Sequence, residues 1–234
     1  MRRDSKSGRG PRQGAADGPL LFDFNGVLME DEGLHFRCYL EILAPLGIAY
    51  DRRRYEARYL PYEDRTAVAR MLKDAGRRVS PALVRRLVAR KRRLFRAVLR
   101  RERLGIEPAV RRLVRRLARR RTLVIVSGAA RSEIRAALEG AGIAGSFRFI
   151  IAAENVRRGK PHPEGYLRAL ARLGSEARHG RAMAIEDSPG GIRAARGAGL
   201  PVLGVATSYP RAVLRRAGAF AVVPNLAHPG RRLG

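Results

Sequence analysis

The chain reads as an α/β protein built on an open, doubly wound parallel sheet into which an all-helical cap is inserted. Three observations predict this. Short, almost continuously apolar runs recur through the second half: TLVIVS (122–127), RFIIAA (148–153), RAMAIED (181–187), PVLGVA (201–206) and AFAVVP (219–224). Amphipathic stretches of about ten residues separate them, the pattern of parallel strands covered by helices on both faces. Residues 33–104 hold no such run and show helical periodicity throughout.

Taken in order, residues 1–18 are rich in Gly, Ser and Arg and nearly devoid of large apolar side chains. They cannot offset their own ordering entropy and are expected to form a flexible basic tail. LLFDF, from residue 20, is the first strand. Helices are then expected over 34–46, 51–60, 63–76 and 80–103. The longest opens on Ser80 as N-cap with Pro81 at its first position, and Leu83, Val84, Leu87, Val88, Leu94, Phe95, Val98 and Leu99 form its apolar face. The domains are therefore a core of residues 19–32 and 105–234 and a helical insert of residues 33–104.

Composition limits the function classes. The 234 residues are 45% hydrophobic, enough for a sizeable interior. Cys38 is the only cysteine, so no intrachain disulfide forms, which fits a cytoplasmic protein. No apolar run approaches the roughly 18 residues of a membrane span, and the basic start lacks the apolar stretch of a signal peptide. The net charge of +28 attracts anions. All but four of the 49 basic residues are arginines, a bias that a GC-rich genome produces by itself. With 6% aromatics and no Trp, the stacking platforms of a specific nucleic-acid reader are missing.

In open α/β sheets ligands bind beyond the carboxyl ends of the strands. Those ends carry Asp23, then Ser127 with Gly128, then Glu186 with Asp187. An Asp after an apolar strand is usually a turn or cap residue, but adjacent acids facing it would repel unless a cation lay between them. Oxygen ligands of this kind suit a hard divalent ion, Mg²⁺ being the economical choice. Lys160, in the Gly/Pro-framed loop RRGKPHPEGY (157–166), offers a compact, movable charge suited to a phosphate and a carboxylate. Ser127 and the N–H groups after it are expected at a helix start, a ready anion site.

Together and in this order, these residues resemble the haloacid dehalogenase-like superfamily over residues 19–225, in particular its branch with a helical cap, typified by beta-phosphoglucomutase and sugar-phosphate phosphatases. The segments that carry the resemblance are DFNGVL, the strand ending at Ser127, GKPHPEGY, and IEDSPGGIRAARGAG (185–199), the last being the most specific. The resemblance implies a Rossmann-like core, Asp23 as nucleophile forming an aspartyl phosphate, and Asp23, Glu186, Asp187 and the Asn25 carbonyl as metal ligands. Ser127, Gly128 and Lys160 would bind the transferring phosphoryl group.

The pattern departs at Asn25, where the family's phosphatases and mutases carry a second Asp that protonates the leaving oxygen and later activates water. Asn25 keeps the carbonyl but shuttles no proton, which should slow turnover of poor leaving groups by about 10²–10⁴-fold. Glu30, Asp31 and Glu32 follow closely as candidate substitutes. Asn25–Gly26 is also a dipeptide prone to succinimide formation, and deamidation would create an Asp. In the cap, Lys91 occupies the centre of an apolar stripe and must snorkel to water or reach a carboxylate or an anion; by resemblance it faces the active site. Arg65 stands where the family binds a distal phosphate, although Pro61 replaces the usual preceding glycine. His35, at the core–cap junction, is a hinge, a relay or simply structural. His162, His179 and His228 have no metal-ligand spacing.

The expected protein is a monomeric, Mg²⁺-dependent phosphohydrolase of a small phosphorylated metabolite, with no membrane or specific nucleic-acid partner. The alternatives are a phosphosugar mutase using Arg65 and Lys91 on a second phosphate, and a weakened phosphate-ligand or nucleic-acid-binding protein.

Overall fold

The structure, a computed structural model, describes residues 18–60, 62–101, 105–178, 182–229 and 233. The expected tail (except Gly18), Pro61 and His179 lie outside these residues.

Six parallel strands form one sheet: β1 (Leu20–Phe22), β2 (Leu123–Val126), β3 (Phe149–Ile151), β4 (Met183–Glu186), β5 (Val202–Val205) and β6 (Ala221–Val223). Their spatial order is β3-β2-β1-β4-β5-β6. Each strand is shorter than the apolar run that predicted it, because the flanking residues turn into loops. The inner residues are buried on both faces, as a covered parallel sheet requires. Leu20, Phe22, Ile125 and Ile185 point to one layer of the core, while Leu21, Val124 and Ala184 point to the other.

The first layer is closed by α5 (Pro108–Ala118) and α6 (Arg131–Gly140) through residues such as Val114 and Ile134. The second is closed by α7 (Glu164–Leu173), α9 (Pro189–Gly197) and α10 (Arg211–Ala217) through Tyr166, Ile192 and Leu214. A single turn, α8 (Ser175–Arg178), follows α7.

Between β1 and α5 the described α-helices are α1 (Glu32–Leu43), α2 (Arg52–Arg58), α3 (Asp64–Asp74) and α4 (Pro81–Arg101), with no strand among them. The expected helix 34–46 begins two residues earlier and ends in a 3₁₀ turn, Ala44–Leu46, because Pro45 cannot continue the α-helical ladder. Asp51 caps α2 by accepting from the Arg54 N–H at 2.6 Å, and Glu63 caps α3 by accepting from Arg65 and Thr66. Ser80 accepts from the Leu83 N–H at 3.2 Å, as a cap for α4.

The insert has its own core, formed by Tyr39, Ile42, Val68, Met71, Val84 and Leu87 among others. Helix α4 serves two cores. Val84, Leu87 and Val88 pack inside the insert, whereas Phe95 and Leu99 pack into the layer under the sheet. Lys91 lies between these two groups. Arg96 Nη1 donates to Ser132 Oγ at 3.1 Å, tying α4 to α6 of the sheet layer.

Candidate active site

The chain runs outward from β1 through β2 to β3 on one side, then returns to β4 beside β1 and continues to β6 on the other. β1 and β4 are thus neighbours at the point where strand order reverses, where such sheets open a crevice. The register pairs Phe22 with Ile185, so the next residues, Asp23 and Glu186, leave the sheet side by side. The Asp23 N–H still donates to Ile185 O at 2.9 Å, which fixes the backbone of the carboxylate.

Asp23, Glu186 and Asp187 are all buried, and each offers a carboxylate oxygen within 4.8 Å of the others. Lys160 Nζ lies 2.8 Å from Asp23 Oδ1 and 2.6 Å from Glu186 Oε1. Tyr166 donates to the same Glu186 oxygen at 2.6 Å. Burial and the surrounding acids push the Glu186 carboxyl up to about 7 despite Lys160, and burial with the charges of Asp23 and Glu186 drives Asp187 well above the carboxylate range. Three carboxylates against one ammonium form an electrostatically incomplete site. The oxygen donor set and its charge fit a divalent cation.

Several residues that hold this geometry have no role that their position in the sequence suggests. Ser208 donates to Asp187 Oδ2, and Thr207 donates to the Gly26 carbonyl, so the loop after β5 braces both the acid and the turn after β1. Gly26 has φ +71°, and a Cβ there would lie 2.0 Å from Asp187 Oδ2. Glu164 accepts from the backbone N–H groups of Arg157 and Arg158 at 3.1 and 3.0 Å, pinning the loop that presents Lys160. These bonds hold its carboxyl down to about 2. Glu164 and Tyr166 lie inside GKPHPEGY, but a motif read as letters assigns them no task.

Gly191 is equally constrained, because a Cβ there would sit 1.9 Å from Glu186 Oε2. Glu186 is fully buried and clamped by Tyr166 and Lys160, so it cannot swing aside freely. Gly191→Ala is therefore expected to destabilise the fold by about 1–3 kcal/mol and to weaken divalent-cation binding at least about tenfold, a 1.4 kcal/mol change. Thermal unfolding with and without the cation checks both.

Ser127 follows β2 directly, four residues ahead of the next helix. Helix α6 starts only at Arg131, and the Ala129 N–H donates to Ser127 Oγ at 3.1 Å instead of standing free. Gly128 is exposed, and a Cβ there would meet only open space.

Of the alternatives open to Lys91, the structure shows the carboxylate, since the side chain is fully buried against Asp64. Its Nζ donates to Asp64 Oδ1 at 2.5 Å, lies 2.5 Å from His35 Nδ1, and sits over the Tyr39 and Phe95 rings. Across this group, Glu133 of α6 is buried and raised by desolvation, with Oε1 lacking a hydrogen-bond partner. Arg65 is exposed at the start of α3. His35 links the insert to Asn25, whose Nδ2 is 2.7 Å from His35 Nε2 and donates to Asp31 Oδ2 at 2.6 Å. The Gly26 N–H donates to Met29 O at 2.7 Å, and with the Asn25 amide also held, succinimide closure is disfavoured.

Comparison with known proteins agrees with this geometry. Protein CbbY of Cereibacter sphaeroides is 30% identical over 187 residues, 77% of this chain and 80% of the relative. The Phosphorylated carbohydrates phosphatase of Thermotoga maritima is 28% identical, covering 87% and 93% of the two chains. The crystal structure of CbbY from Rhodobacter sphaeroides in complex with phosphate superposes with a TM-score of 0.80 at 27% identity, covering 92% of this chain and 96% of that one. Residues 20–199 match the sequence model of the haloacid dehalogenase-like hydrolases, and the chain belongs to that family.

Proposed function

We propose that this protein is a Mg²⁺-dependent phosphohydrolase that cleaves a small phosphorylated metabolite through a phosphoryl group carried on Asp23. The observation that supports this most is the convergence of Asp23, Glu186, Asp187 and Lys160 at the switch point of the sheet. Phosphoryl transfer needs mainly positioning and charge neutralisation, which is what this arrangement offers.

Mg²⁺ held by Asp23, Glu186 and Asp187 would supply positive charge to the transferring oxygens and to the crowded acids. Lys160 fixes Asp23 through Oδ1 and adds its own charge beside the phosphoryl group. An Asp23 oxygen attacks phosphorus as the bond to the leaving oxygen breaks; water then attacks the aspartyl phosphate, releasing phosphate and restoring Asp23. Helices α1 to α4 act as a cap over this centre, braced to the sheet layer by Arg96 and Ser132.

Small phosphorylated carbohydrates and polyols are the substrate class favoured by the relatives, which include Glycerol-1-phosphate phosphohydrolase 2 of Saccharomyces cerevisiae, 34% identical over 92 residues. Lys91 argues against the mutase reading. Its charge is engaged by Asp64 and is fully buried, so it does not stand ready for a second phosphate. No described helix is long and apolar enough to cross a membrane.

A release assay with Mg²⁺, an activated aryl phosphate and a panel of sugar phosphates tests this function. Activity is expected in the wild type and lost on chelation or in Asp23→Asn. Equal activity in wild type and Asp23→Asn contradicts it.

A further inference from the structure

We propose that the Ser208 hydroxyl makes Asp187 a one-oxygen ligand, and that this selects Mg²⁺ against Ca²⁺ at the acid cluster. The inference deepens the phosphohydrolase reading and rests on the cation site which that reading contains.

Each of the three clustered carboxylates has one oxygen engaged by the protein. Asp23 Oδ1 lies 2.8 Å from the Lys160 ammonium. Glu186 Oε1 accepts from Tyr166 and lies 2.6 Å from the same ammonium. Asp187 Oδ2 accepts from Ser208. The second Glu186 oxygen, Oε2, is buried with no hydrogen-bond partner. A buried carboxylate oxygen left bare is costly, and here it belongs to a group of acids that already calls for a cation.

The hold on Asp187 differs in kind from the other two. Lys160 is a single mobile ammonium shared between two acids, whereas Ser208 sits on a loop anchored on both sides. The Ala206 N–H donates to Val223 O at 2.9 Å, Thr207 donates to the Gly26 carbonyl, and Tyr209 packs against the second core layer. Gly26 supplies the space. A Cβ there would lie 2.0 Å from Asp187 Oδ2 and 2.7 Å from Ser208 Oγ, so hydroxyl and carboxylate meet in the slot that the missing side chain leaves.

This fixes how many oxygens Asp187 can give. With Oδ2 committed to Ser208, the carboxylate cannot turn both oxygens to one ion without losing that bond. Mg²⁺ needs only one, because it takes a compact octahedral shell and fills the remaining positions with water. Ca²⁺ takes about six to eight oxygens and readily accepts both from one carboxylate, so the restriction falls on it. A hydrogen bond to a charged group is worth about ten- to a hundredfold in an equilibrium constant.

Wild type, Ser208→Ala and Thr207→Val are to be loaded with Mn²⁺, the bound fraction followed by electron paramagnetic resonance, and the ion displaced with MgCl₂ or with CaCl₂. The two displacement curves give the preference for Mg²⁺ over Ca²⁺ without any turnover. Proton competition at the acids acts on both ions alike and cancels in the ratio. Ser208→Ala should reduce the preference at least about tenfold, mainly through a gain for Ca²⁺. Thr207→Val loosens the same loop without freeing Oδ2, so both ions should weaken together and the ratio should stay within about threefold of the wild type. Ser208 is only partly buried, and circular dichroism checks that its variant folds.

Crystals of the wild type with Mg²⁺ give a second test that needs no variant. One Asp187 oxygen should lie on the ion, with the other still bonded to Ser208. A Ser208→Ala ratio within threefold of the wild type, a matching shift in Thr207→Val, or both Asp187 oxygens on Mg²⁺ in the wild type overturns the proposal. Failure of the underlying reading looks different: Asp187→Asn would then hold Mn²⁺ as tightly as the wild type.

Discussion

Asp23→Asn is expected to lower phosphate release on every substrate by on the order of 10⁴-fold or more, since removal of a covalent nucleophile leaves only binding and charge stabilisation. The fold should survive the change. The Asp23 N–H bond to Ile185 O is a backbone contact, and the amide of Asn occupies nearly the volume of the carboxylate. Lys160 keeps Glu186 as a partner at 2.6 Å, so its ammonium is not stranded. Circular dichroism should be unchanged, while turnover by phosphate release drops to background. A fall of less than tenfold would mean that water attacks the substrate directly and that Asp23 has a different task.

The largest stability effect is expected at Lys91, which is fully buried. Lys91→Met removes the ammonium but leaves Asp64 behind, along with the Tyr39 hydroxyl that donates to it at 2.8 Å. Breaking one side of a buried ion pair costs about 3–5 kcal/mol, and the Arg92 guanidinium, 3.8 Å from Asp64 Oδ2, places the loss toward the lower end. Urea unfolding measures it. The paired change Lys91→Met with Asp64→Asn should recover most of the loss, because no uncompensated charge remains.

The same pair gives a pH signature. Burial works against the charge on Asp64, but Lys91 and His35 together hold its carboxyl down to about 2. A carboxyl lowered on folding contributes stability in full above its unfolded value near ~4 and loses it as pH falls through the folded value. The contribution is about 2 kcal/mol, lost between about pH 4 and pH 2. In Asp64→Asn this part of the acid limb should be absent from a stability–pH curve.

Strands and helices were legible because a covered parallel sheet writes itself as short apolar runs, and an amphipathic helix as a stripe such as that of α4. Strand order was not legible. Nothing in TLVIVS or RAMAIED says that β4 returns to the flank of β1, although the acids ending those strands hinted at it. The site divided in the same way. Asp23, Glu186, Asp187 and Lys160 announced themselves as charges at strand ends and in a constrained loop. Gly26, Gly191, Thr207 and Ser208 did not, since their roles are close approaches and bonds across long sequence separations. Lys91 stands out in the sequence as a charge within an apolar stripe, but its partner on α3 depends on how three helices pack. Asp31 was one acid among three until the turn through Gly26 put it against Asn25.

The central claim, a phosphoryl group carried on Asp23, is tested most directly by acid-quenching the enzyme during turnover of the activated aryl phosphate and mapping the modified peptide by mass spectrometry. One phosphoryl group on the peptide containing Asp23, absent in Asp23→Asn, is the predicted result. Steady turnover with that peptide unmodified and the phosphoryl group absent from every quenched sample would contradict the account.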